Sequence, residues 1–145
     1  MKVAFDSNIF IFSLDRKSPR RQIAQKLLLE ASTGQHELVL THQNLTETYR
    51  VITSPNMEHP FAPAEAVKEL RKWITHFELI APNQETNFLF LKWVGDLKII
   101  GYRTFDIFLA ATLVSHGISL LYSANAGDFK NLSQELSVLD PFQGD

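Results

Sequence analysis

Short apolar runs alternate along the chain with longer stretches of helical period. Continuous apolar runs are typical of parallel strands that are covered on both faces. We therefore predict strands at residues 3–5, 38–40, 77–81, 119–122 and 138–139. The last of these should lie at a sheet edge, because Pro141 beside it cannot donate to a strand ladder.

Between these runs, apolar residues recur at intervals of three and four positions, which predicts helices. The predicted helices cover residues 9–14, 18–33, 41–52, 63–77, 84–94 and 105–114. In the third helix, Thr41 supplies a hydroxyl for the N-cap. Its predicted buried stripe consists of Leu45, Tyr49 and Ile52. Glu47 therefore points away from that stripe.

The later helices carry further expectations. The helix at 63–77 starts with a proline at the favoured first position, and its apolar period is kept by Val67, Leu70, Ile74 and Phe77. The helix at 84–94 holds more aromatic rings than one helix face can bury, which indicates either core packing or a subunit interface. Thr104 should cap the apolar helix at 105–114, which places Asp106 at its second position.

Alternating strands and helices predict a three-layer α/β/α fold with a mostly parallel central sheet, in a single domain that spans residues 1–145. The formal charge of -2 excludes a uniformly basic coat for nucleic acid. The absence of cysteine excludes disulfides, thiolate zinc sites and cysteine nucleophiles, and it fits a reducing compartment. No apolar run approaches bilayer length and no leader pattern precedes the first strand, so we expect a cytoplasmic protein without membrane contact.

Four acids occur where the sheet should end. Asp6 follows the first strand, Glu47 and Asp128 come after later strands, and Asp106 starts the helix before the fourth strand. Because the carboxyl ends of parallel strands share one edge, we expect these carboxylates in one cleft. Considered alone, Asp6 suits a helix cap. The three further acids favour a metal site instead, with Ser7 or Asn8 then starting the helix.

Carboxylates crowded in one cleft raise one another's pKa values, and a divalent cation relieves this repulsion. Oxygen ligands without His or Cys favour Mg²⁺, for which Mn²⁺ can substitute, over zinc. A carboxylate-held metal that retains waters suits phosphoryl chemistry. The sequence therefore predicts a magnesium site at the sheet edge.

The acidic segments resemble the ordered motifs of the PIN nuclease domain over nearly the whole chain. Residues 60–66 and 138–141 also resemble the VapC-type toxins of bacterial toxin–antitoxin pairs. The segments that carry the likeness are 6–8, Thr41 with Glu47, 104–106 and 123–129. The resemblance implies a Mg²⁺-dependent endoribonuclease that leaves a 5′-phosphate, is restrained by a cognate antitoxin and is usually a homodimer.

Carried over by position, the resemblance makes Asp6 and Asp106 the metal ligands. Glu47 and Asp128 complete the catalytic acids, and the supporting polar residues are Asn8, Thr41 and Asn125. Many members of the family have a Thr at the place of Ser123 and an acid at the place of Asn125. It therefore stays open whether Asp128 or Asn125 completes the metal site.

Two other functions remain open from the residues. A haloacid-dehalogenase-type phosphatase also begins with a strand and an Asp, but it would need an acid at the place of Asn8. A degenerate PIN fold used for binding would explain Asn125. For the RNA backbone, the candidate residues are Arg16, Lys17, Arg20, Arg21 and Arg50. Sequence-specific RNA recognition usually targets single-stranded loops, so we expect a structured RNA that is cut in a loop.

Overall fold

The computed structural model describes residues 1–34, 36–132 and 134–143. The strands are β1 (Lys2–Phe5), β2 (Glu37–Thr41), β3 (Glu78–Ile80), β4 (Leu120–Tyr122) and β5 (Ser137–Leu139). The α-helices are α1 (Ser7–Leu14), α2 (Arg21–Ser32), α3 (His42–Ile52), α4 (Pro63–His76), α5 (Gln84–Asp96) and α6 (Arg103–Ser115). A 3₁₀ helix covers Ala126–Leu132.

The strands form one parallel sheet in the order β3-β2-β1-β4-β5. Helices cover both of its faces, so the predicted α/β/α fold class is confirmed. β1 is central, with Ala4 paired to Val39 on one side and to Leu121 on the other. β5 lies at an edge, as Pro141 predicts. All strand carboxyl ends therefore meet along one side of the sheet.

Two apolar cores form because alternate residues of a strand point to opposite faces. Val3 and Phe5 pack with Ala24 of α2 in one core. Ala4 and Leu121 pack against α5 and α6 in the other. The last residue of β1 is Phe5, and Asp6 follows it directly, so Asp6 lies at the sheet edge.

The buried face of α3 differs from the predicted one. Asn44, Thr48 and Ile52 are buried, whereas Leu45 and Tyr49 are only half-buried, so the predicted stripe is wrong at two of its three positions. The cause is local, because Thr41 and Asn44 form a reciprocal capping box at the start of α3. That box turns Asn44 toward β1, where its Nδ2 donates to the Phe5 carbonyl, and Thr48 lies one helical turn later on the same face.

The buried face of α4 was also predicted incorrectly in part. Val67 and Ile74 are 44% and 43% exposed, respectively. Ala66 is buried instead, and Trp73 packs on the Phe10 ring with 5.0 Å between ring centroids. The bulky indole sets the rotation of the helix, because it contributes more apolar area than Val67 or Ile74 can.

In α5, Trp93 is buried and Phe90 packs edge-on against Phe108 at 5.2 Å, whereas Phe88 is 66% exposed. α6 starts one residue before Thr104, with Tyr102 as N-cap and no capping side chain. The prediction of Thr104 as the cap is therefore wrong, and Asp106 is the fourth residue of the helix rather than the second. The turn before α6 passes through Gly101 at φ +68°, which leads the backbone into the helix without a side-chain cap.

No helix in the three described ranges is both long enough and apolar enough to cross a membrane.

Candidate metal centre and its cleft

Asp6 lies directly after β1 and is 9% exposed. Its Oδ1 accepts a hydrogen bond of 2.8 Å from the Ser7 backbone N-H, and its Oδ2 accepts one of 2.8 Å from the Ser123 hydroxyl. Asp6 is thus the N-cap of α1, and the expectation that Ser7 or Asn8 would take over this role is wrong. A carboxylate has two oxygens with about four acceptor positions, so it can cap a helix and still act in a site.

Glu47 is held by a hydrogen bond from another element. The Ser7 hydroxyl donates to Glu47 Oε1 at 3.0 Å and accepts from Asn44 Nδ2 at 3.1 Å. Asn44 Nδ2 also donates to the Phe5 carbonyl at 3.1 Å. Neither Ser7 nor Asn44 was identified as a site residue from sequence. The signal for Asn44 was its place three residues after Thr41, the spacing of a capping box.

Two of the predicted polar supports act through the backbone. Thr41 is 1% exposed and accepts a hydrogen bond from the Asn44 N-H, so it orients Asn44 rather than facing the cleft that holds the acids. Asn8 Oδ1 accepts a hydrogen bond of 3.4 Å from the Ala124 N-H. Asn8 thereby ties α1 to the loop after β4, which carries Ser123.

A cleft of about 570 Å³ opens where α3, α6 and the loop after β4 meet. It is lined by Thr46, Glu47, Arg50, Tyr102, Phe105, Asp106, Asn125 and Asp128. Three of the four predicted acids therefore share one cleft. Asp6 does not line it, but its charge acts on Asp106 there.

The carboxyl groups influence one another strongly. Burial, followed by the charges of Asp6, Asp128 and Glu47, raises the pKa of Asp106 to about 7. The Arg103 guanidinium opposes this rise in pKa only in part. Burial also raises the pKa of Asp6, against the hydrogen bonds from Ser123 and Ser7. The ionised site is thus electrostatically unfavourable by itself, as carboxylates of a cation site are.

Asn125 and Asp128 both line the cleft, and both are exposed. The Asn125 N-H donates to the Ser123 hydroxyl at 3.0 Å, and Arg103 Nη2 donates to the Asp128 carbonyl at 3.1 Å. Asp128 carries charge that raises the pKa of Asp106, which the neutral Asn125 cannot do. Arg103 was not predicted as a site residue, because no motif around it in the sequence signals this contact with Asp128.

The donor set fits a magnesium ion. All candidate ligands in the cleft are oxygen atoms, which Mg²⁺ prefers. Within the described ranges, no three His, Asp or Glu side chains stand close enough together to hold one ion. Mg²⁺ commonly uses only one or two carboxylates and keeps several waters, so a pair of ligands satisfies it.

Only one of the predicted RNA-binding cations lies at the cleft. Arg50 lines it, whereas Arg20 packs over the Phe12 and Phe142 rings at 5.4 and 4.9 Å. Lys17 forms an ion pair of 3.7 Å with Glu58. Neither Arg16 nor Arg21 is among the residues that line the cleft. The cluster near the start of α2 is therefore not part of this site.

Comparisons with known proteins agree with this architecture. The family model described as PIN domain matches residues 3–134. Among curated proteins, none matches the sequence.

Solved structures of similar fold include VapBC-1 from nontypeable Haemophilus influenzae, at 17% identity and a TM-score of 0.72 over 99% of this chain and 100% of that one. VapC20 from Mycobacterium tuberculosis, described as a sarcin–ricin loop cleaving toxin, has 14% identity and a TM-score of 0.69 over 90% of this chain and 94% of that one. A toxin–antitoxin complex from Klebsiella pneumoniae has 22% identity and a TM-score of 0.64 over 97% of this chain and 98% of that one. At these identities, the likeness concerns the fold.

Proposed function

Because this chain belongs to the PIN domain family, we propose that it is a Mg²⁺-dependent endoribonuclease and the toxin of a toxin–antitoxin pair. We also propose that residues 1–145 form one PIN domain. The observation that carries the nuclease proposal is the cleft in which Glu47, Asp106 and Asp128 meet, where the charge of Asp6 also acts on Asp106. PIN domain nucleases generally use divalent metal ions, and the oxygen donors of this cleft suit one.

In this proposal, Asp6 and Asp106 would hold Mg²⁺. When bound, the ion would lower the pKa of a coordinated water and neutralise charge on the phosphate. Glu47 and Asp128 orient the attacking water. The hydrogen bond from Ser7 fixes one oxygen of Glu47, which leaves the other oxygen to accept from that water. In Asp6, the Ser123 hydroxyl fixes Oδ2 and the Ser7 N-H fixes Oδ1.

The proposed substrate is an RNA that is cut within a single-stranded loop, because unpaired bases and a flexible backbone can enter an open cleft. The structural neighbour VapC20, described as cleaving the sarcin–ricin loop, supports this class of target. Arg50 is the candidate for holding a phosphate, since it lines the same cleft as the acids.

The proposed protein partners are a cognate antitoxin and a second copy of the chain. The Klebsiella pneumoniae neighbour is a toxin–antitoxin complex, which supports the first. Two exposed apolar surfaces support protein contacts in general: Phe88 with Leu91 on α5, and Val67 with Ile74 on α4. Apolar groups left exposed together commonly mark such contacts.

Cleavage of a fluorescent RNA hairpin by the purified protein, with Mg²⁺ or with a chelator, tests the proposal. We expect Mg²⁺-dependent cuts in the loop that leave a 5′-phosphate, and a loss of at least about a hundredfold in Asp106→Asn. Asp96→Asn is the matched control, because Asp96 lies on the surface of α5 in an ion pair with Lys92. A metal-independent cut, or full activity in Asp106→Asn, would refute the mechanism.

Two further measurements, together with hairpin cleavage, separate the other functions. A degenerate binding module would neither cleave RNA nor bind Mn²⁺ in calorimetry. A phosphatase would release inorganic phosphate from a small phosphomonoester and leave the hairpin intact.

A further inference from the structure

Two exposed aromatic rings stand at the edge of the carboxylate cleft. We infer that Tyr102 and Phe105 form a stacking platform for an unpaired nucleobase of the substrate. This inference rests on the proposed RNA cleavage and specifies how the same site holds its substrate.

The two rings are unusually accessible for large side chains. Tyr102 is 91% exposed and Phe105 is 59% exposed, and both line the cleft that contains Asp106. They occupy the N-cap and the third position of α6, so the helix that carries Asp106 also carries both rings. A base that stacks on these rings would therefore lie close to Asp106, at a position that the helix fixes.

The platform is attached to rigid parts of the fold. Gln43 Nε2 on α3 donates to the Phe105 carbonyl at 2.9 Å, which joins the start of α6 to α3. Phe105 also lines a second cavity of about 300 Å³, which is mostly apolar and includes Pro82 and Phe108. Thr46 and Glu47 line both cavities, so the apolar wall continues past Phe105 beside Glu47. Sites on such anchored elements lose little entropy when a ligand binds.

Beside its three acids, the lining of the cleft includes one cation, Arg50, that can bind a nucleotide. Arg50 is exposed and lines the same cleft, so a phosphate can bind to it while the attached base lies on the rings. Stacking on aromatic side chains suits single strands of any sequence, because every base has a π-face. A second copy of this chain seated permanently on Tyr102 and Phe105 would close the cleft that the substrate must enter, which disfavours a contact between copies as the role of the rings.

Steady-state cleavage of a fluorescent single-stranded RNA in Mg²⁺ tests the platform. We expect Tyr102→Ala and Phe105→Ala each to lower kcat/KM by roughly 5- to 150-fold, mainly through KM. Tyr102→Phe and Phe105→Tyr retain a ring and should stay close to wild type. Leu29→Ala is the control, because Leu29 on α2 is an apolar side chain of similar exposure, 64%, that does not line the cleft.

Two results would overturn the inference while the proposed nuclease stands. In one, wild type cleaves RNA and the Tyr102 and Phe105 alanine variants match Leu29→Ala. In the other, sedimentation shows that these two variants reduce the oligomeric state, which assigns the rings to a contact between copies. If wild type does not cleave RNA at all, the proposed function fails together with the platform.

Discussion

The Ser7 hydroxyl donates a hydrogen bond of 3.0 Å to Oε1 of Glu47, across a sequence separation of 40 residues. The bond joins the first turn of α1 to the middle of α3. Asn44 donates to the same hydroxyl and so directs its proton toward Glu47. Ser7 comes directly after Asp6 in the chain. The residue that follows one proposed catalytic acid, Asp6, therefore positions a second one, Glu47.

Removing the Ser7 hydroxyl should impair catalysis more than folding. In Ser7→Ala, Glu47 loses its fixed orientation, and we expect kcat for RNA cleavage to fall about tenfold, as for other groups that orient site residues. Ser13→Ala is the control, because Ser13 is buried on the same helix and its hydroxyl donates only to the Phe10 carbonyl. It should cost about 1 kcal/mol of stability and leave kcat unchanged. Equal kcat in the two variants would contradict the role of Ser7.

Asn44 should contribute strongly to stability. It is 2% exposed, and its side chain bonds to the Phe5 carbonyl, the Thr41 N-H and the Ser7 hydroxyl. Asn44→Ala would leave buried backbone groups without partners, which should lower the free energy of unfolding by about 3 kcal/mol. Urea denaturation measures this loss.

Asn83→Ala provides the comparison, since Asn83 belongs to the capping box of α5 but is exposed. Its loss should cost only about 1 kcal/mol. The role assigned to Asn44 is wrong if both variants lose the same amount.

Ser123 should control metal affinity through Asp6. Its hydroxyl donates to Asp6 Oδ2 at 2.8 Å and is fully buried. We expect Ser123→Ala to weaken Mn²⁺ binding about tenfold in calorimetry, because a ligand without its orienting partner binds metal less well. Ser123→Thr keeps the hydroxyl and should retain wild-type affinity. Unchanged affinity in Ser123→Ala would exclude this role.

The sequence predicted the fold well, because buried parallel strands form continuous apolar runs that exposed segments rarely match. It also placed Glu47, Asp106 and Asp128 together, since acids after parallel strands share one sheet edge. It failed where polar side chains are buried. On α3, Asn44 and Thr48 face the protein core, where Leu45 and Tyr49 were predicted. Hydrophobic periodicity assigns polar residues such as these to the surface.

The other errors arise from tertiary packing. On α4, two overlapping apolar faces fit the helical period. The contact of Trp73 with Phe10 determines which of these faces is buried, and the sequence of α4 does not contain that contact. The N-cap of α6 escaped prediction because Tyr102 has no capping hydroxyl or amide interaction to signal it. Asp6 caps α1 and is also a proposed metal ligand, two roles that a lone Asp after a strand does not signal together.

The pH dependence of stability should reveal the burial of Asp106 and the charges around it in the metal-free protein. Folding raises its pKa from the ordinary 3.8 to about 7. Between these two values the unfolded chain has already released the proton that the folded protein still holds. Folding is thus progressively disfavoured as pH rises through this window, and the penalty stays constant above it.

Asp106→Asn removes the titrating group and should remove this penalty. With a chelator present, its melting temperature should exceed that of wild type by a few degrees at about pH 8 and equal it at about pH 4. Asp96→Asn, at an exposed ion pair, should show no such trend. Added Mg²⁺ should stabilise wild type more than Asp106→Asn, because the ion offsets the repulsion that the variant lacks. A gain in melting temperature that is the same at every pH would show that Asp106 is not the group whose ionisation destabilises the fold.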